Sequence, residues 1–263
     1  MIGGGVMGEA LISRLIMKSV YQPIEILVSE PNGDRRSFLQ SQYGVQVTSK
    51  NSEAALASDV VLLAIKPQIF FQVATELTAS LPHTSAVLLS ILAGTSIAQL
   101  EAAFPEQPIL RAMPNTPAQV GAGVTAIARG QHSQPHHVER ARTILETVGS
   151  VIEIPESLMD AVTGLSGSGP GYVALVVEAL ADGGVAAGLP RPIALQLAIQ
   201  TVLGTAQLLQ ESGLHPGELK DRVTSPGGTT IAGIAQLEKQ GLRSALIEAV
   251  RAASNRSKEL GNQ

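Results

Sequence analysis

Gly3-Gly4-Gly5-Val6-Met7-Gly8 reads G-x-G-x-x-G and opens a helical apolar pattern over Val6–Lys18. Glycines at this spacing allow a tight turn, close approach of a pyrophosphate and close packing of a helix on a strand. The pattern alone is weak and takes its weight from the alternation after it. Apolar runs at Ile24–Val28, Val60–Ile65, Ala86–Ile91, Ile109–Ala112 and Val124–Ala128 have the length and β-branching of buried strands. Helical patterns at Asp34–Gln42, Ser52–Ala57, Pro67–Ser80 and Ser96–Phe104 lie between several of them, and Pro135–Val148 leads to a last apolar piece at Val151–Ile154. Such alternation predicts a parallel sheet covered by helices on both faces.

The fold class expected is therefore α/β, a Rossmann-type doubly wound parallel sheet. Glu30 ends the strand that follows the fingerprint helix, placed to accept from a ribose 2′-hydroxyl and to repel a 2′-phosphate. Ser29, Asn32, Arg35 and Arg36 can instead hold that phosphate, so these residues leave NAD and NADP both open. One piece of the pattern is missing. Only Met1 and Ile2 precede Gly3, where a central strand belongs, and the absence of that strand would leave backbone groups of both neighbours unpaired. The expectation is that the first strand is truncated and that the natural start lies upstream.

After Pro155 the strand signal fades. Pro170–Gly188, Pro192–Ser212, Pro216–Val223, Thr230–Gln240 and Leu242–Leu260 read as helices, with Gly188, Pro190 and Gly213 as stops. Residues 1–155 are expected to form the nucleotide domain and 156–263 an all-helical domain. Between two of these helices, Ser225-Pro226-Gly227-Gly228-Thr229-Thr230 forms an open turn into a helix. Free N–H groups and two hydroxyls at a helix start suit a small carboxylate; an ordinary capped connection is the simpler alternative.

Composition narrows the function. Charged residues make up 15% of the chain, against about 25% in typical soluble domains, which suggests surface buried between subunits. A net charge of −4 gives no support for nucleic acid or an anionic membrane, and no apolar run is long enough to span a bilayer. With no cysteine there is neither a disulfide nor a thiolate metal site. His132, His136 and His137 lack acidic neighbours before Glu139, so no metal is expected. A cytoplasmic homo-oligomer is the simplest inference.

Loops at strand ends supply further candidates: Ala64-Ile65-Lys66-Pro67-Gln68, Ser90–Thr95 and Arg111–Pro117. Ser166 or Ser168 can cap the helix that follows Asp160–Pro170, and Tyr172 reads as core packing. Taken in order with Gly3–Gly8, Leu189-Pro190-Arg191, His215–Asp221 and Ser225–Thr230, these segments make the chain resemble the pyrroline-5-carboxylate reductases. The departures are the missing first strand, Gly8 where the family often has Ala, and Gly171 where it usually has Ala. The resemblance implies a Rossmann domain, a helical domain that interlocks with a second copy as a dimer or a higher assembly of dimers, and hydride transfer from NADPH or NADH to 1-pyrroline-5-carboxylate. It implies that Ile2, Gly3, Gly4, Gly5, Val6, Met7, Ser29, Asn51, Ala64, Lys66, Ala93 and Asn115 border the cofactor. It implies too that Gly228, Thr229 and Thr230 hold the substrate carboxylate, that the Thr230 hydroxyl is catalytic at the ring nitrogen, and that Glu156 lies near the substrate.

The chemistry agrees with what the chain lacks. A carbonyl reductase must protonate a developing alkoxide, whereas a cyclic imine can arrive already protonated and become a stable amine. The helical half has no lysine before Lys220 and no histidine but His215. This speaks against a β-hydroxyacid dehydrogenase, whose relatives resemble one another in an interdomain lysine. A non-catalytic nucleotide sensor is a third reading.

Overall fold

The computed structural model describes residues 1–56, 59–78 and 86–261. In chain order, α1 (Val6–Met17), β1 (Leu27–Ser29), α2 (Gly33–Tyr43), β2 (Gln46–Thr48), α3 (Asn51–Ala54), β3 (Val60–Leu63) and α4 (Phe70–Thr78) form one half of a Rossmann-like layer. They are followed by β4 (Val87–Ser90), α5 (Ile97–Ala103), β5 (Ile109–Met113), β6 (Gly123–Arg129), α6 (Pro135–Leu145) and β7 (Gly149–Glu153). The expected helix ends at Ala57 and Ser80 lie outside the described residues. Strand β2 is not apparent from sequence because Gln46-Val47-Thr48 is too short to show a period.

The sheet is parallel except that β6 runs antiparallel to β5. A short 3-10 turn at Thr116–Val120 joins them, and a parallel return would need a longer crossover. Apolar side chains cover both faces. Leu11, Ile12, Leu15, Val28, Leu89, Leu110 and Leu145 pack on one side; Val61, Leu63, Phe70, Leu77, Leu88 and Leu100 pack on the other.

The first residues pair with strands on both sides. Ile2 bridges Ser29 on β1 and Leu63 on β3 in parallel. Ile2 N–H donates to Leu62 O and Gly3 N–H to Ser29 O, while Ser29 N–H donates to Met1 O and Ala64 N–H to Ile2 O, each at 2.8 Å. Met1–Gly3 thus lies between β1 and β3, where the sequence pattern expects the first strand to end. Below Met1 the neighbours diverge around a cavity of about 330 Å³, lined by Leu15, Tyr21, Ile26, Leu27, Val60 and Leu62 among others. Met1 also lines it, and its buried amine donates to Leu27 O at 2.7 Å. Burial lowers its pKa to about 5, from an ordinary 8.0.

The remaining elements are α7 (Met159–Val162), a π-helical turn at Thr163–Gly167, α8 (Gly169–Ala186), α9 (Arg191–Ser212), α10 (Pro216–Arg222), α11 (Thr229–Lys239) and α12 (Leu242–Gly261). Packing divides the chain into two compact units, Met1–Ser168 with the segment from Ala252 onward, and Gly169–Arg251. The division expected from sequence lies at 155/156. Ser257 shows why the end of α12 joins the first unit: its buried hydroxyl donates to the Asp160 carboxylate at 2.6 Å. Ser166 does not cap α8, because its hydroxyl donates back to Val162 O.

The second unit is built on the α8–α9 hairpin. Ala181, Ala194 and Ala198 form its small buried core with Val177 and Val185 beside them. A Cβ on Gly184 would lie 3.1 Å from the Ala194 Cβ, so small residues set the helix spacing. Leu175, Leu195, Leu197, Ile199, Leu203 and Leu208 remain exposed in the single chain. Helix α9 is long and apolar enough to cross a membrane by length and composition, although polar residues punctuate it and leave no unbroken apolar run.

Candidate active site

The fingerprint loop is shaped by what a side chain would strike. Gly3 has φ +98°, and a Cβ there would sit 2.6 Å from Ala64 O. A Cβ on Gly4 would meet Leu39 Cδ1 at 2.6 Å, and one on Gly8 would meet Gly3 O at 2.8 Å. Gly5 has nothing within 4 Å. It is the N-cap of α1, and no side chain caps that helix. The first-turn N–H groups of α1 thus face an open space with room for a close-approaching anion.

The far side of this loop is tied down by charge. Glu30 Oε2 accepts from Gly4 N–H at 3.0 Å and its Oε1 from Asn32 N–H at 3.0 Å. Arg35 Nε donates to Gly4 O at 2.6 Å, and its guanidinium pairs with Glu9. Burial pushes the Glu9 carboxyl up, but hydrogen bonds from Arg35 and Tyr43 outweigh it and hold the group below its ordinary value. Asn32 spends its side chain as the N-cap of α2, accepting from Arg35 N–H. Arg36 NH1 donates to Glu30 O and Pro31 O at 2.6 and 2.8 Å, beyond the carboxyl end of β1. Glu30 and Arg35 are therefore engaged in building the loop, and Arg36 is left as the half-exposed cation at the strand end.

The other expected cofactor residues occupy the same edge of the sheet. Ser29 is buried and its hydroxyl donates to Asn51 Oδ1 at 2.7 Å, while Asn51 Nδ2 donates to Glu76 at 2.7 Å. Ala64 directly follows β3, and Lys66 two residues on is exposed and without an ion pair among the described residues. Ala93 is the exposed crest of the loop after β4. Asn115 Oδ1 accepts from Val124 N–H at 2.9 Å and its Nδ2 donates to Ser166 O at 3.1 Å. That carbonyl belongs to the π-helical turn, a wide turn often found at functional sites.

Glu156 sits on a short turn after β7. Its Oε1 accepts from Ile97 N–H at 2.7 Å and from Arg111 NH1 at 2.8 Å. The Arg111 side chain is largely buried, so the pair compensates a charge that could not stand alone there.

In the second unit, Gly227 turns the chain at φ +66°. Gly228 is the N-cap of α11 with no side-chain cap, and its own N–H donates to Ser225 O at 3.0 Å. The first intrahelical bond of the turn is Ala232 N–H to Gly228 O. The N–H groups of Thr229, Thr230 and Ile231 precede it, and no hydrogen bond engages either threonine hydroxyl among the described residues. This is the arrangement anticipated from the hexapeptide: bare amides and two hydroxyls around one helix start.

Both parts of the chain resemble known proteins. Residues 1–94 match the family model described as NADP oxidoreductase coenzyme F420-dependent, and residues 156–260 the one described as pyrroline-5-carboxylate reductase dimerisation. A pyrroline-5-carboxylate reductase of Synechocystis sp. is 58% identical over 262 residues, covering 100% of this chain and 97% of the relative. The chain belongs to the pyrroline-5-carboxylate reductase family. One of Arabidopsis thaliana is 44% identical, with 98% of this chain and 94% of the relative covered. Among solved structures, the reductase of Coxiella burnetii superposes with a TM-score of 0.93 at 38% identity, covering 98% of this chain and 96% of the other. That of Plasmodium falciparum, solved with NADP bound, gives 0.88 at 31%, covering 99% and 96%.

As a pyrroline-5-carboxylate reductase, the protein reduces 1-pyrroline-5-carboxylate to proline with hydride from a nicotinamide nucleotide. The readings as a β-hydroxyacid dehydrogenase or a turnover-free sensor give way to this. Sequence reasoning missed Arg111 as the partner of Glu156 and the π-helical turn that meets Asn115. Arg111 had a visible signal, a charge inside the apolar run Ile109–Ala112; the π-helical turn had none.

Proposed function

We propose that the first unit holds NADPH along the carboxyl edge of its sheet, and that the turn into α11 grips the substrate by its carboxylate. The observation that carries this is the pair of uncapped helix starts, one in each unit, at α1 and α11. The α1 start suits the pyrophosphate, since Gly3 and Gly4 form a cradle that any Cβ would fill and Gly5 leaves its approach open. Ile2 to Met7, Ala64, Lys66, Ala93 and Asn115 border the nucleotide on this reading, with Ser29 acting through Asn51. Arg36 gives the 2′-phosphate a cation, because Glu30 already accepts from two backbone N–H groups. This favours NADPH, with NADH as the weaker donor.

The bound nucleotide supplies the hydride. The chain's residues orient the acceptor. N–H groups at Thr229 and Thr230 receive the carboxylate oxygens, while Gly228, expected to donate as well, spends its N–H on Ser225 O and shapes the turn, and the Thr230 hydroxyl meets the ring nitrogen. The substrate arrives as the protonated cyclic imine, and the C=N carbon takes the hydride while the nitrogen keeps its proton. No side chain needs to donate one, so orientation in place of acidity is the task of the site.

The exposed leucines and isoleucines of α8 and α9 are covered by a second copy, giving an interlocked dimer and a route to higher assemblies of dimers. The apolar character of α9 is used in this way in place of a lipid contact, and the enzyme works in the cytoplasm without a metal ion. The site assignment is tested by Thr230→Ala. Losing a hydrogen bond to a charged group costs about 1.5–3 kcal/mol, a fall of about ten- to a hundredfold in kcat/KM. NADPH binding, followed by fluorescence, is expected to hold. Unchanged kinetics would remove Thr230 from the site.

A further inference from the structure

We propose that Glu156 is a positioning residue for the nucleotide: one carboxylate oxygen fixes the Ala93 loop by joining the start of α5 to Arg111. The inference rests on the reading that Ala93 borders the nucleotide, and it reassigns Glu156 from the substrate.

The loop between β4 and α5 is fastened at both ends and free at its crest. At its entry, Leu92 N–H donates to Ser90 Oγ at 3.4 Å, and Ser90 stands opposite Arg111 in the β4–β5 register. At its exit, Ser96 caps α5, with Ser96 Oγ accepting from Gln99 N–H at 3.2 Å and Gln99 Oε1 accepting from Ser96 N–H at 2.8 Å. Ile97 N–H, one residue further, is taken by Glu156 Oε1. Gly94 lies against the end of α12, where a Cβ on Gly261 would be 3.1 Å from Gly94 O. Ala93 is exposed between these ties.

Arg111 makes the clamp rigid. It is on β5 in the middle of the sheet and its side chain is 10% exposed, so the guanidinium has little freedom. The carboxylate of Glu156, 31% exposed, spans from that fixed point to the backbone of α5. Its charge is already answered by Arg111 and its Oε1 by two donors, so it has little left to offer a zwitterionic substrate. What Glu156 can govern is where the α5 start lies, and with it the crest at Ala93.

The test measures nucleotide binding without substrate, a quantity that a substrate ligand would not move. Glu156→Ala is expected to raise the NADPH dissociation constant about tenfold, or 1.4 kcal/mol, with the KM for 1-pyrroline-5-carboxylate within about twofold of wild type. Glu156→Gln keeps an acceptor oxygen for both donors and should stay within about threefold on the nucleotide. If the alanine variant does not fold, Glu156→Asp replaces it. That side chain is too short to reach both partners, and it should weaken the nucleotide in the same way. A raised substrate KM with unchanged NADPH affinity would return Glu156 to the substrate and overturn the proposal. So would equal losses on both ligands that Gln fails to rescue. Ala93→Leu checks the underlying reading. If it leaves NADPH affinity unchanged, the loop does not border the nucleotide. If it weakens NADPH while Glu156→Ala does not, the clamp alone is wrong.

Discussion

The cavity beneath Met1 gives the sharpest physical test of this fold. On β1, Leu27 O and Ser29 face the Met1–Gly3 segment; on β3, Leu62 O and Ala64 N–H do so. Strand alternation then aims Leu27 N–H, Leu62 N–H and Val60 O into the cavity. Three apolar residues added before Met1, such as Val-Ile-Val, would reach all three groups in parallel register. Pairing them contributes about 1 kcal/mol each, and burying two branched side chains about 1.5–3 kcal/mol each. Ordering three residues costs about 1–2 kcal/mol each. The extension also removes the buried amine. That group has a folded pKa of about 5 against an ordinary 8.0, so the unfolded chain binds more protons between these values and stability rises with pH through that window. The penalty it relieves is on the order of 1 kcal/mol at pH 7 and several times larger at pH 5. The net gain expected is about 3–5 kcal/mol at pH 7, on the order of 10 °C in Tm. Thermal unfolding at fixed protein concentration measures it, with a Gly-Ser-Gly extension as the control that lacks side chains. The advantage over the parent should widen from pH 8 to pH 5. An unchanged Tm would refute the unpaired edge, and a gain that ignores pH would refute the buried amine.

Three further outcomes are expected. Arg36→Ala should lower the preference for NADPH over NADH by about tenfold, the worth of one charge-assisted contact; equal loss with both nucleotides would mean that Arg36 serves the loop alone. Gly3→Ala places a Cβ 2.6 Å from Ala64 O at φ +98°, and should cost about 1–3 kcal/mol or more in denaturant unfolding; an unaltered midpoint would show that the turn relaxes freely. Leu203→Glu puts a charge on an exposed apolar stretch of α9, and gel filtration should show smaller particles. Retention of the wild-type size would place the interface elsewhere.

Much of this architecture was legible because local chemistry and global fold agree. The strands β3, β4 and β5 are continuous apolar runs, as strands buried on both faces must be, and the helix ends fall where Gly213, Pro190 and Pro216 put them. The antiparallel direction of β6 was not legible, since a strand's run of residues carries no arrow; only the short Asn115–Ala122 connection hints at it. Glu30 was legible only in its position. Its place at the end of β1 was clear, but its commitment to Gly4 and Asn32 depends on a loop whose path no periodicity encodes. The open turn before Thr229 was legible because a proline, two glycines and two threonines leave few other conformations. Arg111 and Glu156 are far apart in sequence, and only the sheet register brings them together.

Helices α8 and α9 share an interior made of little more than three alanines, while most of their larger side chains point outward. On the proposed dimer, a newly made copy would complete this arm only by meeting another. At low abundance the half-finished arm would stay open to proteolysis, so the cell's stock of working enzyme should fall away faster than synthesis does.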